Sequence, residues 1–126
     1  VIVHTATLAG QTMDFALPSR ISTRHDLSTS SYEQRTGQTM VRVWAAAILI
    51  CWADRDSKAG KDRVPIYRGD VLAYGGDALD YLSERGVQID QIAEVGLVLI
   101  EKVRASLVTA EQLEEARGNS GPPAGG

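Results

Sequence analysis

The sequence predicts an α+β fold that is mostly α, an N-terminal β-hairpin followed by a bundle of three to five helices. Three observations predict it. Two short β-prone runs flank a glycine near the N-terminus. The stretch Met40–Ala53 is apolar on nearly every side, with Arg42 its only charge, and a helix of that kind belongs in the middle of a domain or in a membrane. Downstream, apolar residues recur at helical spacing and are interrupted at Gly86, where a helix can end on a left-handed glycine.

The hairpin comes first. Residues 2–8 and 12–17 are rich in β-formers, and Ala9-Gly10-Gln11 between them includes a glycine able to take a positive φ. In the second arm Met13, Phe15 and Leu17 alternate with Thr12, Asp14 and Ala16, so one face is apolar. Pro18 ends the arm. An isolated hairpin is marginal in water, so this one must dock on the helical body or gain a strand from another chain.

Residues 19–39 are polar, with Ser28-Thr-Ser-Ser31 at their centre and Ile21, Leu27 and Tyr32 as the apolar anchors. They predict a short helix over about 22–27, capped by Ser19 or Ser22, and otherwise a loop or frayed helix start. A long polar connection of this kind serves as a connector or as a mobile functional arm.

The apolar helix is expected to start near Thr36 or Thr39 and to end near Arg55 to Ser57, before the turn-like residues 56–62. A membrane span needs about 20 apolar residues, and this run is shorter. Trp44, Ile48 and Trp52 form a bulky ridge at i+4 spacing, while Ala45, Ala46 and Ala53 leave room for close approach. Val64-Pro-Ile-Tyr67 reads as extended, because Pro65 disfavours helical backbone at Val64.

Asp70 is placed to cap the next helix, over about 71–85, with Val71, Gly75, Ala78, Leu79 and Leu82 as its stripe and Tyr74 and Tyr81 beside it. Gly75-Gly76 costs about 1 kcal/mol per residue against alanine in a helix, which points to close packing. Asp90 is the expected cap of a further helix through about Leu107, with Ile92, Gly96, Leu99, Ile100, Val103 and Leu107 on one face. Val95, Leu97 and Val98 widen that face, predicting burial on two sides and making a second copy of the chain a candidate partner. Thr109-Ala-Glu-Gln112 has capping-box spacing and predicts a separate short helix from Ala110 to Arg117. Residues 118–126 have the composition of a disordered tail, leaving residues 1–117 as a single globular domain.

Composition narrows the function. The chain has 126 residues, enough for one domain with a real core. Its net charge of −3 disfavours a protein built to hold a phosphate backbone. The lone Cys51 lies in the apolar run and is expected to act as a buried small hydrophobe, not a nucleophile. His4 and His25 are the only histidines and have no metal-ligand spacing with each other or with Cys51. Val1-Ile-Val-His-Thr-Ala6 lacks the basic flank and long apolar centre of a secretory signal, so export is not expected. No catalytic residue, metal site or cofactor site is assigned.

Asp77, Asp80 and Glu84 share one helical face, either as a solvated stripe or as a surface for a basic partner. With Trp44, Trp52, Tyr74 and Tyr81 they are the candidate partner-binding residues. Leu79–Glu94 also has the outline of a helix-turn-helix. Its recognition position would carry Asp90, Gln91 and Glu94, whose acidic groups repel phosphates.

Taken together, the hairpin with Phe15-Ala-Leu-Pro-Ser-Arg20, the helix Trp44-Ala-Ala-Ala-Ile-Leu-Ile-Cys-Trp52, and the segment from Tyr67-Arg-Gly-Asp-Val-Leu-Ala-Tyr-Gly75 to Leu82-Ser-Glu-Arg-Gly86 resemble the small tail assembly chaperones of long-tailed bacteriophages and prophages. The resemblance covers about residues 2–107 and rests on the order of elements. It implies a small helical protein of the host cytoplasm, without enzymatic activity or cofactor, that holds the tape-measure protein while the tail tube polymerises. It carries no functional-residue motif and so transfers no site. The polar 19–39 region departs from a chaperone helix. The expected partner is another phage tail protein, the tape measure or the tail tube, and two other readings stand beside it: a structural adaptor at the virion neck or tail, and a small helix-turn-helix DNA-binding regulator.

Overall fold

The computed structural model describes residues 1–29, 40–54, 67 and 70–119, and every structural statement below concerns these. The element order is a two-stranded antiparallel hairpin followed by four helices, the expected α+β, mostly α architecture. Strand β1 (Ile2–Leu8) and strand β2 (Gln11–Ala16) are joined by Ala9 and Gly10, with φ of 50° and 80°. Two successive positive φ values mark the type I′ turn, whose twist matches that of the strands. The register runs from Leu8 opposite Gln11 to His4 opposite Phe15, and a bulge at Val3 precedes the Ile2–Ala16 pair. Leu8, Met13 and Phe15 are buried on one face. On the other, Thr5 Oγ1 donates to Asp14 Oδ1 at 2.8 Å and the Thr7 and Thr12 hydroxyls lie 3.3 Å apart.

Helix α1 (Ile21–Thr29) is longer than its sequence predicts. Its first backbone bond runs from Arg24 N–H to the Arg20 carbonyl, so the helix starts after Arg20 and Ser22 lies inside it instead of capping it. Arg24 Nε also donates to the Pro18 carbonyl at 2.6 Å, tying the helix to the end of the hairpin. Leu27 is fully enclosed and anchors α1 against the last helix, whereas Ile21 is 63% exposed and anchors nothing. Tyr32 lies outside the described residues.

Helix α2 (Met40–Cys51) is the centre of the molecule. Val43 and every residue from Ala45 to Cys51 are buried, with Cys51 a 2% exposed core side chain. The expected start at Thr36 or Thr39 lies outside the described residues. The expected end near residues 55–57 does not hold: Trp52 leaves the helix and bridges Phe15, and Ala53 N–H donates to the Asp14 carbonyl at 2.9 Å. Strand pairing on the outer edge of β2 thus overrides helix continuation and fastens the hairpin to the end of α2.

Helix α3 (Val71–Glu84) begins where Asp70 Oδ1 accepts from Leu72 N–H at 2.8 Å. It ends in a Schellman motif: Gly86 has φ of 83°, its N–H donates to the Ser83 carbonyl, and Val87 N–H donates to the Leu82 carbonyl. Helix α4 (Ile89–Asn119) is one continuous element. Asp90 sits in its first turn instead of at the cap. The side chain that reaches back is Gln91, whose Oε1 accepts from Gln88 N–H at 3.2 Å, half of a capping box. The separate helix expected from Ala110 is also corrected, because α4 passes through Thr109 without a break and continues to Asn119, into the expected tail.

Helix α2 packs along both α3 and α4. The approach is close at two glycines. A Cβ built on Gly75 would lie 2.8 Å from the Arg42 carbonyl carbon, and one on Gly96 would lie 2.7 Å from Trp44 Cα. Ile92, Leu99, Ile100, Val103 and Leu107 complete the buried face of α4. Two-sided burial does not extend to Leu97, which is 45% exposed. None of the described helices is long and apolar enough to cross a membrane.

Candidate functional site

A cleft of about 560 Å³ opens between the tip of the hairpin and the end of α3. It is within the size range of small-ligand and side-chain pockets, about 300–1,000 Å³. Each wall follows from a local feature already described. The type I′ turn carries Ala9 and Gln11 to one lip and turns Leu8 and Met13 inward. The bridge to Phe15 swings Trp52 out of α2 and into the wall. The Schellman turn sets Leu82 and Val87 beside each other at the base, with Tyr81, Glu84 and Arg85 on the opposite lip.

The floor is apolar and the rim is charged. Leu8, Met13, Trp52, Tyr81, Leu82 and Val87 are each buried at least nine-tenths, whereas Gln11, Glu84 and Arg85 are exposed. The Arg85 guanidinium carbon lies 3.5 Å from the Tyr81 ring centroid, and Nη1 donates to the Tyr81 carbonyl at 3.3 Å. A cation over an aromatic face is worth about 0.5–1 kcal/mol at an exposed site, so Arg85 is held over the ring. Among the described residues the cleft wall carries one carboxylate, Glu84, and one cation, Arg85. Such a slot can accept an apolar side chain and fix its orientation by charge at the mouth.

Comparison with family models, curated proteins and solved structures finds no match.

The candidate partner residues fall in three places. Trp52, Tyr81 and Glu84 meet at the cleft. Asp77 and Asp80 are exposed on α3 and extend the acidic line that ends at Glu84 on the rim. Trp44 and Tyr74 lie elsewhere. Tyr74 is 6% exposed and meets Tyr67 edge-on, ring centroids 5.6 Å apart. Trp44 is half-buried against Gly96, and its indole Nε1 is buried with no hydrogen-bond partner, a desolvation cost of about 1–3 kcal/mol.

Sequence reasoning missed Leu8, Met13, Val87 and Arg85 as cleft residues. Val87 had a signal: the residue after a Schellman glycine commonly makes an apolar contact with the last turn of its helix. Arg85 had one too: it follows Tyr81 by four residues, the spacing that sets a cation over the ring one helical turn before it.

Other polar groups lie apart from the cleft. His4 stacks on Phe15 at 6.1 Å, and His25 is exposed. Tyr67 donates its hydroxyl proton to Asp26 of α1. Burial first, and then the Asp26 carboxylate, push that hydroxyl above its ordinary value. No group of His, Cys, Asp and Glu among the described residues is arranged to hold a metal ion.

Proposed function

We propose that this chain is a non-enzymatic protein of bacteriophage or prophage tail assembly, a chaperone that holds the tape-measure protein in the host cytoplasm while the tail forms. The observation that carries the reading is the cleft: a preformed slot with Trp52 and Tyr81 in its wall, and with Glu84, Asp80 and Asp77 running away from its mouth along one face of α3. That arrangement fits an amphipathic helix whose apolar side chain enters the slot while lysines or arginines one and two turns away meet the acidic line. A long helical tail protein, prone to aggregate before assembly, supplies such segments. The order of elements along the chain, which resembles that of the tail assembly chaperones, supports the same reading.

The test is co-expression with a tape-measure protein. Its recovery in the soluble fraction, co-purifying with this chain, is the expected result. A tape measure that stays insoluble regardless of this chain would overturn the reading. Reversing charge with Asp77→Lys and Asp80→Lys should weaken capture by about tenfold or more and flatten its salt dependence.

A further inference from the structure

The sheet has two outer edges, and the described residues cover one of them. Ala53 N–H donates to the Asp14 carbonyl and Trp52 bridges Phe15, so the end of α2 occupies the outer side of β2. The same bond orients the free edge. Because Asp14 directs its carbonyl away from β1, the Thr5–Asp14 pair is a non-hydrogen-bonded one, and Thr5 points its own N–H and C=O away from β2. By alternation Thr7 does the same. Both threonines are exposed, and no backbone bond from another described residue reaches either. Edge strands are normally blunted by charged side chains, proline or bulges. Strand β1 has seven residues without Lys, Arg, Asp, Glu or Pro, and its bulge at Val3 lies to one side of the Thr5–Thr7 edge.

We propose that a second copy of this chain covers the edge, the two β1 strands lying antiparallel about a twofold axis at Ala6 to make a four-stranded sheet. A twofold interface requires a surface that complements itself, and β1 does so in this register. Thr5 falls opposite Thr7 of the second copy and Thr7 opposite its Thr5, each pair exchanging both backbone bonds. Facing threonines are favourable cross-strand neighbours, and here they extend the Thr7–Thr12 contact already made inside each hairpin. Ala6 meets its counterpart at the axis, where strands approach most closely and a small side chain fits. The uncharged strand sets no like charges against each other. Centring on Thr5 instead would oppose Thr7 to the bulged Val3, whose backbone is out of step with the ladder. Centring on Thr7 would oppose Thr5 to Ala9, which is in the turn at φ of 50°, so the Ala6 register is selected.

The experiment is the mass of the full chain in solution, by sedimentation equilibrium, with edge variants alongside. Wild type should run at twice the 13.6 kDa chain mass, and Thr5→Pro at that mass itself. Thr5 N–H is not part of the hairpin ladder, so proline there leaves the ladder's backbone bonds in place while it removes the outward donor and the Thr5 side-chain bond to Asp14. If Thr5→Pro loses its circular dichroism, the double variant Thr5→Lys/Thr7→Lys decides, because it sets lysine opposite lysine in both pairs while changing only exposed side chains. Ala6→Cys should cross-link to a dimer on oxidation, whereas wild type, whose only thiol is the buried Cys51, should not. A wild-type mass of one chain throughout the micromolar range, or a dimer indifferent to the lysine pair, would overturn the proposal. So would Thr5 and Thr7 amides whose hydrogen exchange slows only when another protein is added, which would give the edge to that protein. None of these outcomes depends on capture of a tape measure.

Discussion

Gly75→Ala and Gly76→Ala are neighbouring substitutions in α3 with opposite expected signs. Both positions are helix interior, where alanine is favoured over glycine by about 1 kcal/mol. Nothing lies within 4 Å of a Cβ added at Gly76, so that variant should gain about 1 kcal/mol from propensity alone. At Gly75 the new atom would lie 2.8 Å from the carbonyl carbon of Arg42, while ordinary contact begins at 3.4 Å. The Arg42 carbonyl oxygen is nearer still, so the helices must separate by more than about 0.6 Å. The obstacle is the main chain of α2, which cannot rotate aside as the tip of a side chain could. Overpacking costs about 1–3 kcal/mol, and a backbone obstacle puts it at the upper end. After the propensity gain, about 2 kcal/mol of stability is lost. At about 4 °C per kcal/mol for a domain of this size, Gly76→Ala should melt about 4 °C above wild type and Gly75→Ala about 8 °C below it. Far-ultraviolet circular dichroism on heating reads both. Equal stabilisation by the two substitutions would refute the close approach of α2 and α3.

Three further outcomes are expected. Ala9→Asn should raise stability by about 0.5–1 kcal/mol in urea unfolding, because asparagine tolerates the positive φ that alanine holds at a penalty. Trp52→Ala should cost about 3–5 kcal/mol in the same assay, whereas Trp44→Phe should stay within about 1 kcal/mol of wild type, since it also removes the buried unpaired indole N–H. Tyr67 is held protonated in the folded state, so its contribution is complete below its unfolded pKa of about 10 and is lost as pH rises past it. Stability measured from about pH 9 to about pH 11 should fall less steeply in Tyr67→Phe than in wild type.

The parts of the fold legible in the sequence were those fixed by neighbours along the chain. Gly10 in a hairpin turn, Asp70 as a cap and Gly86 as a helix stop act within a few residues, and so does the alternation of Met13 and Phe15. The parts that were not legible were decided by distant residues. Trp52 keeps helical spacing with Ile48, yet its partner is Phe15, and the strand bridge ends the helix. Thr109 has the spacing of a cap, but a cap signature acts only where the preceding turn has stopped being helical, and α4 does not stop there. The cleft shows the same division. Trp52, Tyr81 and Glu84 stand out in the sequence as aromatic or acidic residues and Val87 follows from the Schellman turn, while their meeting with Leu8 and Met13 requires the hairpin to fold over the end of α3.

The most direct test of a partner-binding cleft is the fluorescence of Trp52, isolated in a Trp44→Phe background and titrated with a purified tape-measure segment. A saturable change in Trp52 emission is expected, and it should be lost when Asp77 and Asp80 are replaced by lysine. Tape-measure binding that leaves Trp52 emission unchanged, or no binding at all, would contradict it.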